Sequence, residues 1–194
     1  MALIVPVKIN KVSDLSNARF VAGMGVSAVG FKIKSDDLEF SAKNFKSIML
    51  WLSGVEFVLE FDQVADKDYI NQLTQELDCN TIEIPISSYQ KLQSGLNNDL
   101  KVILSVQPDD VIKVEQSENL CLHFKQVDLE FAKEKANAFS MFTFEENIKI
   151  EKIIDFASNH SFKYICFESG TETAPGMPDF GILPEILEAL EDQA

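Results

Sequence analysis

The residues best suited to chemistry stand where apolar runs end. The first run, Ile4–Ile9 (IVPVKI), leads into Lys8-Ile9-Asn10-Lys11, a carboxamide between two ammonium groups. Later runs end on or near Glu60 and Asp62, Glu83, His123 and Lys125, and Glu168. Carboxylates held beside one another can carry separated pKa values and so divide the work of acid and base. Histidine is the side chain that titrates nearest neutrality. A set of this kind suits proton transfer on a small polar molecule.

Other chemistries are poorly represented. His123 and His160 are far apart in sequence, and neither an HExxH run nor an EF-type loop is present, so no metal site and no cofactor are expected. The three cysteines, Cys79, Cys121 and Cys166, are odd in number and lack CxxC spacing; they read as reduced, mostly buried thiols. Cys166 sits between Ile165 and Phe167, which favours a packed strand residue over a nucleophile. The chain carries 31 acids against 17 bases, a net charge of -14, and Arg19 is its only arginine. Such a surface repels nucleic acid and anionic membranes, so neither is an expected partner. A small-molecule ligand and a protein partner both stay open. The start, MALIVPVKINK, is short and lacks a basic n-region and a cleavage site, so no signal peptide is expected. No stretch approaches the roughly 20 apolar residues of a membrane span. A cytoplasmic location is the default expectation.

The elements that must position these groups repeat along the chain. After Ile4–Ile9, β-rich runs occur at Ala28–Ile33, Glu56–Phe61, Thr81–Ile84 and Lys101–Ser105. They recur at Leu120–Phe124, Phe139–Phe142 and Tyr164–Phe167. Helical periodicity lies between most of them. Leu15–Ala22 follows the capping candidates Ser13 and Asp14, and Ala42–Leu52 follows Ser41. Asp66–Leu77 puts Tyr69, Ile70, Leu73 and Leu77 on one stripe, and Ile150–Ala157 repeats the pattern. Leu183–Leu190 carries Pro184 in its first turn, and shorter segments are expected near Asp109–Val114 and Asp128–Ala136. Eight such alternations predict an α/β fold, a single compact (β/α)8 TIM barrel over residues 1–194. An open doubly wound sheet binding a dinucleotide would carry a Gly-rich first turn, which is missing after Ile9. In a barrel the functional face is at the C-terminal strand ends: Lys8, Asn10, Lys11, Lys32, Lys34, Glu60, Asp62, Glu83, His123, Lys125, Glu145 and Glu168 to Glu172. His160 precedes the last strand, on the opposite face, and reads as a solvated loop residue.

The stretch Tyr164–Asp179 (YICFESGTETAPGMPD) resembles the last strand and loop of phosphoribosylanthranilate isomerases, with S-G-x-E and then P-G-x-x-D. The start, VKIN followed by Asn17-Ala18-Arg19-Phe20 and Gly23-Met24-Gly25, is similar to that family's K-I-C-G opening. Ala28-Val29-Gly30-Phe31 is similar to its second strand. The resemblance implies a tryptophan-biosynthesis barrel and an Amadori rearrangement, an aldose–ketose isomerisation. It further implies a cysteine base on the first strand, an aspartate acid on the sixth, and backbone N–H groups around a phosphate after the seventh and eighth.

Position by position the match is incomplete. Asn10 stands at the cysteine position, and a carboxamide cannot accept a proton at neutral pH. Lys11 stands at the neighbouring glycine. His123 is the titratable group nearest the aspartate position. Thr143-Phe144-Glu145-Glu146-Asn147 replaces the glycine pair with two acids, and Cys166 replaces an aspartate on the eighth strand. Lys34-Ser35-Asp36-Asp37 stands where the resemblance calls for an arginine. Lys8, Gly30, Phe31, Ser169, Gly170, Glu172, Pro175 and Gly176 remain. On the family's alternation Lys8 and Glu83 both point inward, so Lys8 with Glu83 is the expected interior pair. Asn10, His123, Glu83 and Glu168 are the expected chemical positions; Lys8, Ser169, Gly170 and Thr171 are the expected contacts to a ligand or phosphate. Three readings follow: a barrel that has lost the isomerase chemistry and binds or acts on another small ligand, phosphorylated or not; a non-catalytic scaffold or partner-binding barrel; and an isomerase whose base has moved to Glu60, Glu83 or Glu168 and whose acid has moved to His123.

Overall fold

The computed structural model describes residues 2–33, 38–62, 66–169, 171–174 and 177–191. Of the positions named above, Lys34, Gly170, Pro175 and Gly176 lie outside these residues, as do the side chains of Thr171 and Glu172.

Eight parallel strands close into a barrel in chain order. They are β1 (Val7–Val12), β2 (Ala28–Ile33), β3 (Glu56–Phe61), β4 (Thr81–Pro85), β5 (Lys101–Val106), β6 (Leu120–Val127), β7 (Ser140–Phe144) and β8 (Tyr164–Glu168), with β8 paired back onto β1. Helices α1 (Leu15–Gly23), α2 (Leu38–Met49), α3 (Lys67–Glu76) and α4 (Ile86–Leu92) follow the first four strands. Helices α5 (Leu129–Lys135) and α6 (Ile150–Asn159) follow β6 and β7. After β8 a hairpin of β9 (Thr171–Ala174) and β10 (Met177–Asp179) precedes α7 (Leu183–Ala189). This is the (β/α)8 barrel expected from the alternation. The caps are local: Asp14 accepts from the Asn17 N–H (2.9 Å), Asp66 from Asp68 (2.8 Å) and Asp128 from Phe131 (2.8 Å).

Two expectations need correction. The first strand is Val7–Val12, three residues later than the apolar run. Pro6 has no N–H for the ladder and gives only its carbonyl, to Ile165 N at 3.1 Å. Lys8 and Asn10 therefore lie within the strand. The segment Asp109–Val114 forms no helix. Gln107 to Asp110 makes a turn, with Asp110 N donating to Gln107 O (3.0 Å) and Gln107 N to Asp110 Oδ2 (2.8 Å). The branched residues Val111, Ile112 and Val114 then favour extended backbone. Ile112 and Val114 pack against the outer core where a helix would have lain.

Alternation divides the core in two. Ile9, Val29, Leu59, Ile82, Leu104, Phe124, Phe142 and Ile165 face the helices in one large cluster. Val58, Ile103, Cys121, Met141 and Cys166 form a separate plug inside the barrel. All three cysteines are free and buried. At the N-terminal end Tyr164 donates to Glu56 (2.7 Å), and Thr81 reaches the same carboxylate (3.1 Å). Outside β6 and β7, Phe156 packs between Phe142 (5.6 Å), Phe144 (5.5 Å) and Phe162 (5.6 Å). His160 stacks on Phe156 at 4.7 Å and bonds its carbonyl, so it ends α6 half-buried instead of standing in solvent.

Phe156→Ala would empty the centre of this aromatic cluster. A loss of about 3–5 kcal/mol is expected in urea unfolding; a loss under about 1 kcal/mol would mean that the cluster does not hold α6 to the barrel.

Candidate functional site

The barrel axis is polar toward the C-terminal end because the alternation that buries Ile9 outside turns Lys8 and Asn10 inside. Lys8 is completely buried, with 0% exposure. Its ammonium bonds the Glu60 carboxylate, Glu83 Oε2 at 2.9 Å and Asn10 Oδ1 at 2.5 Å. The expected Lys8–Glu83 contact is there, and Glu60 joins it from the next strand, paired in register with Glu83. Gly30 makes room for this. A Cβ on Gly30 would overlap the Glu60 carboxylate and lie 2.8 Å from Lys8 Nζ.

Glu83 is the hub. Its Oε1 receives His123 Nδ1 at 2.9 Å and Lys125 Nζ at 3.1 Å. His123 Nε2 lies 2.8 Å from the Thr143 hydroxyl. Burial opposes the charge on Glu83, but Lys8, His123 and Lys125 together hold its carboxyl well below the usual range. Burial, with Glu83 as a like charge, pushes the Glu60 carboxyl up against the pull of Lys8 and of the Lys11 N–H. Burial pulls the Lys8 and Lys125 ammonium groups down, yet the carboxylates outweigh it and hold both above the lysine range. His123 goes the other way: burial, helped by Lys8 and Lys125, lowers its pKa despite Glu83. It is therefore neutral near pH 7. With Glu83 ionised, Nδ1 carries the proton and donates to it, so Nε2 accepts from Thr143.

Two bulges shape the mouth. Register slips between Ile9 and Val12 on β1 and between Phe124 and Val127 on β6. Each contains a non-glycine residue with left-handed backbone, Lys11 (φ 57) and Gln126 (φ 53). Lys11 occupies the position where the resemblance calls for glycine, a residue that adopts this conformation without strain. Its N–H donates to Glu60 Oε2 at 2.9 Å and its ammonium pairs with Glu168 at 3.0 Å. Lys32 pairs with Asp62.

The structure thus gathers Lys8, Asn10, Glu83 and His123 in one network and leaves Glu168 exposed at the rim. Ser169 is tied to β1: its N–H donates to Asn10 O and its hydroxyl to Lys11 O, each at 2.8 Å. Phe144 is buried toward Phe142 and Phe156, so it does not plug the mouth, and Glu145 is exposed. Sequence reasoning missed Thr143 as the partner of His123, and the closeness of Glu60 to Lys8. Glu60 alternates in phase with Val58 and Glu56, a signal that it points inward. A cavity of about 340 Å³ opens over β3 to β6, lined by Lys11, Glu60, Asp62, Glu83, Ser87, Ser105, Asp110 and Lys125 among others. Among the described residues no group of His, Cys, Asp and Glu could hold a metal, and no helix is long and apolar enough to cross a membrane.

The same barrel occurs in solved isomerases. Phosphoribosyl anthranilate isomerase from Thermotoga maritima superposes with a TM-score of 0.64 at 19% identity, covering 96% of this chain and 100% of that one. The enzyme from Thermus thermophilus gives 0.63 at 17%, covering 95% and 96%. 3-Keto-L-gulonate-6-phosphate decarboxylase from Vibrio cholerae O1 biovar El Tor gives 0.61 at 9%, covering 98% and 100%. No protein-family model matches the chain, and no curated protein matches it in sequence. At these identities the likeness establishes the (β/α)8 barrel fold.

Two measurements probe the network. Lys8→Met strands two buried carboxylates and should cost about 3–5 kcal/mol in urea unfolding. Adding Glu60→Gln and Glu83→Gln should recover most of that loss, and no recovery would mean the carboxylates are compensated elsewhere. His123 has a lowered folded pKa, so below an unfolded value of about 6.5 the unfolded chain binds the extra proton and stability falls with pH. His123→Asn should remove a slope of up to ~1.4 kcal/mol per pH unit below that point; identical pH profiles would show that folding leaves the proton affinity of His123 unchanged.

Proposed function

We propose that this barrel no longer performs the Amadori rearrangement suggested by its resemblance, and that its C-terminal mouth binds a different small molecule. The observation that carries this is the state of the two positions where base and acid would stand. Asn10 turns its carbonyl oxygen to the Lys8 ammonium, which fixes the amide and leaves Nδ2 buried without a partner. A carboxamide so held offers no basic atom. His123 is neutral and bonded on both nitrogens: its one proton, on Nδ1, is committed to Glu83, and Nε2 faces the Thr143 hydroxyl, so neither nitrogen presents a proton to a substrate.

Cys166 supports the same conclusion. It pairs in register with Lys8, yet burial, against the pull of Lys8 and with Glu83 and Glu60 as like charges, drives its thiol far above the ordinary range. A lysine already holding two carboxylates does not activate a neighbouring thiol. Of the expected phosphate contacts, Ser169 has both its N–H and its hydroxyl bonded to β1.

A second reading, an isomerase with relocated groups, has one observation behind it. Glu60 lines the cavity with its carboxyl pushed up, the property of a proton-carrying group.

A coupled fluorescence assay with phosphoribosylanthranilate decides between them. No turnover is expected from the protein or from Asn10→Cys. Turnover by the parent that Glu60→Gln abolishes would establish the second reading; turnover by Asn10→Cys alone would mean that acid and phosphate grip are intact.

A further inference from the structure

We propose that the cavity over β3 to β6 binds a small zwitterion, an α-amino acid or close analogue, with its carboxylate on Lys125 and its ammonium on Asp110. This rests on the reading of the mouth as a ligand site and names its ligand class. The charge arrangement carries the argument. Among the described residues every mouth lysine already holds a carboxylate: Lys8 holds Glu60 and Glu83, Lys11 holds Glu168, Lys32 holds Asp62 and Lys125 holds Glu83.

Lys125 is the one that can change partner. Its contact with Glu83, at 3.1 Å, is longer than those of Lys8 and His123, both 2.9 Å. Its side chain is 28% exposed and lines the cavity, whereas Lys8 is sealed. If Lys125 turns to an incoming carboxylate, Glu83 keeps both Lys8 and His123. The hub therefore stays compensated, and a new charge-assisted bond replaces the old one. Lys11 is a poorer choice, because its release would leave Glu168 without a cation.

Asp110 supplies the opposite half. It lines the same cavity and accepts the Gln107 N–H through Oδ2, and among the described residues no lysine or arginine pairs with it. Ser87 and Ser105 add hydroxyl groups to the lining.

Electrostatic complementarity selects against simpler ions. A phosphate dianion needs more than one free cation and would meet Asp62 and Asp110. A lone amine would meet Lys125, and a lone carboxylate would meet Asp110. A zwitterion satisfies both ends. The volume, about 340 Å³, equals roughly eleven waters at ~30 Å³ each, room for an amino acid and a few waters.

Isothermal titration calorimetry on the whole chain tests this. The probes are the twenty standard L-amino acids, the decarboxylated amine and the deaminated acid of the best binder, D-ribose, and inorganic phosphate. At least one amino acid should bind with a Kd below about 10 mM, and removal of either charged group should weaken it by about tenfold or more. Lys125→Met and Asp110→Asn should each weaken it similarly; Asp110 is exposed, so that variant keeps its fold. Absence of binding by all twenty overturns the proposal. So does equal binding of the amine or the acid, or binding that neither variant changes. Ribose or phosphate binding that Lys125→Met abolishes, without any amino-acid binding, overturns the zwitterion and leaves the mouth a ligand site. Turnover of phosphoribosylanthranilate instead overturns the earlier reading.

Discussion

A fully buried ammonium group is costly, and the interior of this barrel is arranged around one. Taking an ion out of water costs several kcal/mol even after relaxation, so Lys8 is tolerable only with strong partners close by. Strands β3 and β4 supply Glu60 and Glu83, and β1 itself supplies Asn10. Two carboxylates on adjacent strands then create the next demand. Glu83 meets it with His123 and Lys125 from β6, and Glu60 with the Lys11 N–H. The glycine at position 30 follows from the same arrangement, because a methyl group there would occupy the Glu60 carboxylate. Five strands are thus committed to one charge-balanced cluster of Lys8, Lys125, Glu60 and Glu83.

This commitment limits what the mouth can do. Lys8 pulls on the Cys166 thiol beside it, but burial outweighs that pull and Glu83 and Glu60 oppose it, so the thiol is pushed up, not down. His123 is likewise held neutral as a bridge from Glu83 to Thr143. Of the four charged groups of the cluster, Lys125 and Glu60 have the most exposed side chains, and both line the cavity.

The sequence carried the strands well. Ala28–Ile33 and Glu56–Phe61 match the observed β2 and β3, since each is a branched or aromatic run bounded by turn residues. The inward pairing of Lys8 and Glu83 was also legible, because period-two alternation fixes a face once the register is right. What was hidden has physical causes. Helix α4 begins directly at Pro85 with no side-chain cap, so no signal announces it. The missing helix after β5 depends on a Pro-Asp-Asp turn and on Ile112 and Val114, two branched residues that pack against the outer core in extended backbone. Thr143 as the partner of His123 depends on the pairing of β6 with β7, which periodicity alone does not give.

The bulges on β1 and β6 bear on the same question of use. A left-handed conformation costs a non-glycine residue about 1–2 kcal/mol, and glycine would relieve it at Lys11 or Gln126. Both residues directly follow the inward groups that set the mouth, Asn10 and Lys125. At Lys11 the conformation aims the N–H at Glu60 while the side chain reaches Glu168. At Gln126 it lets Lys125 reach Glu83 before the strand rejoins β7 at Val127. At both strand ends the strain is compensated by contacts to carboxylates of the mouth, Glu60 and Glu168 for Lys11 and Glu83 for Lys125.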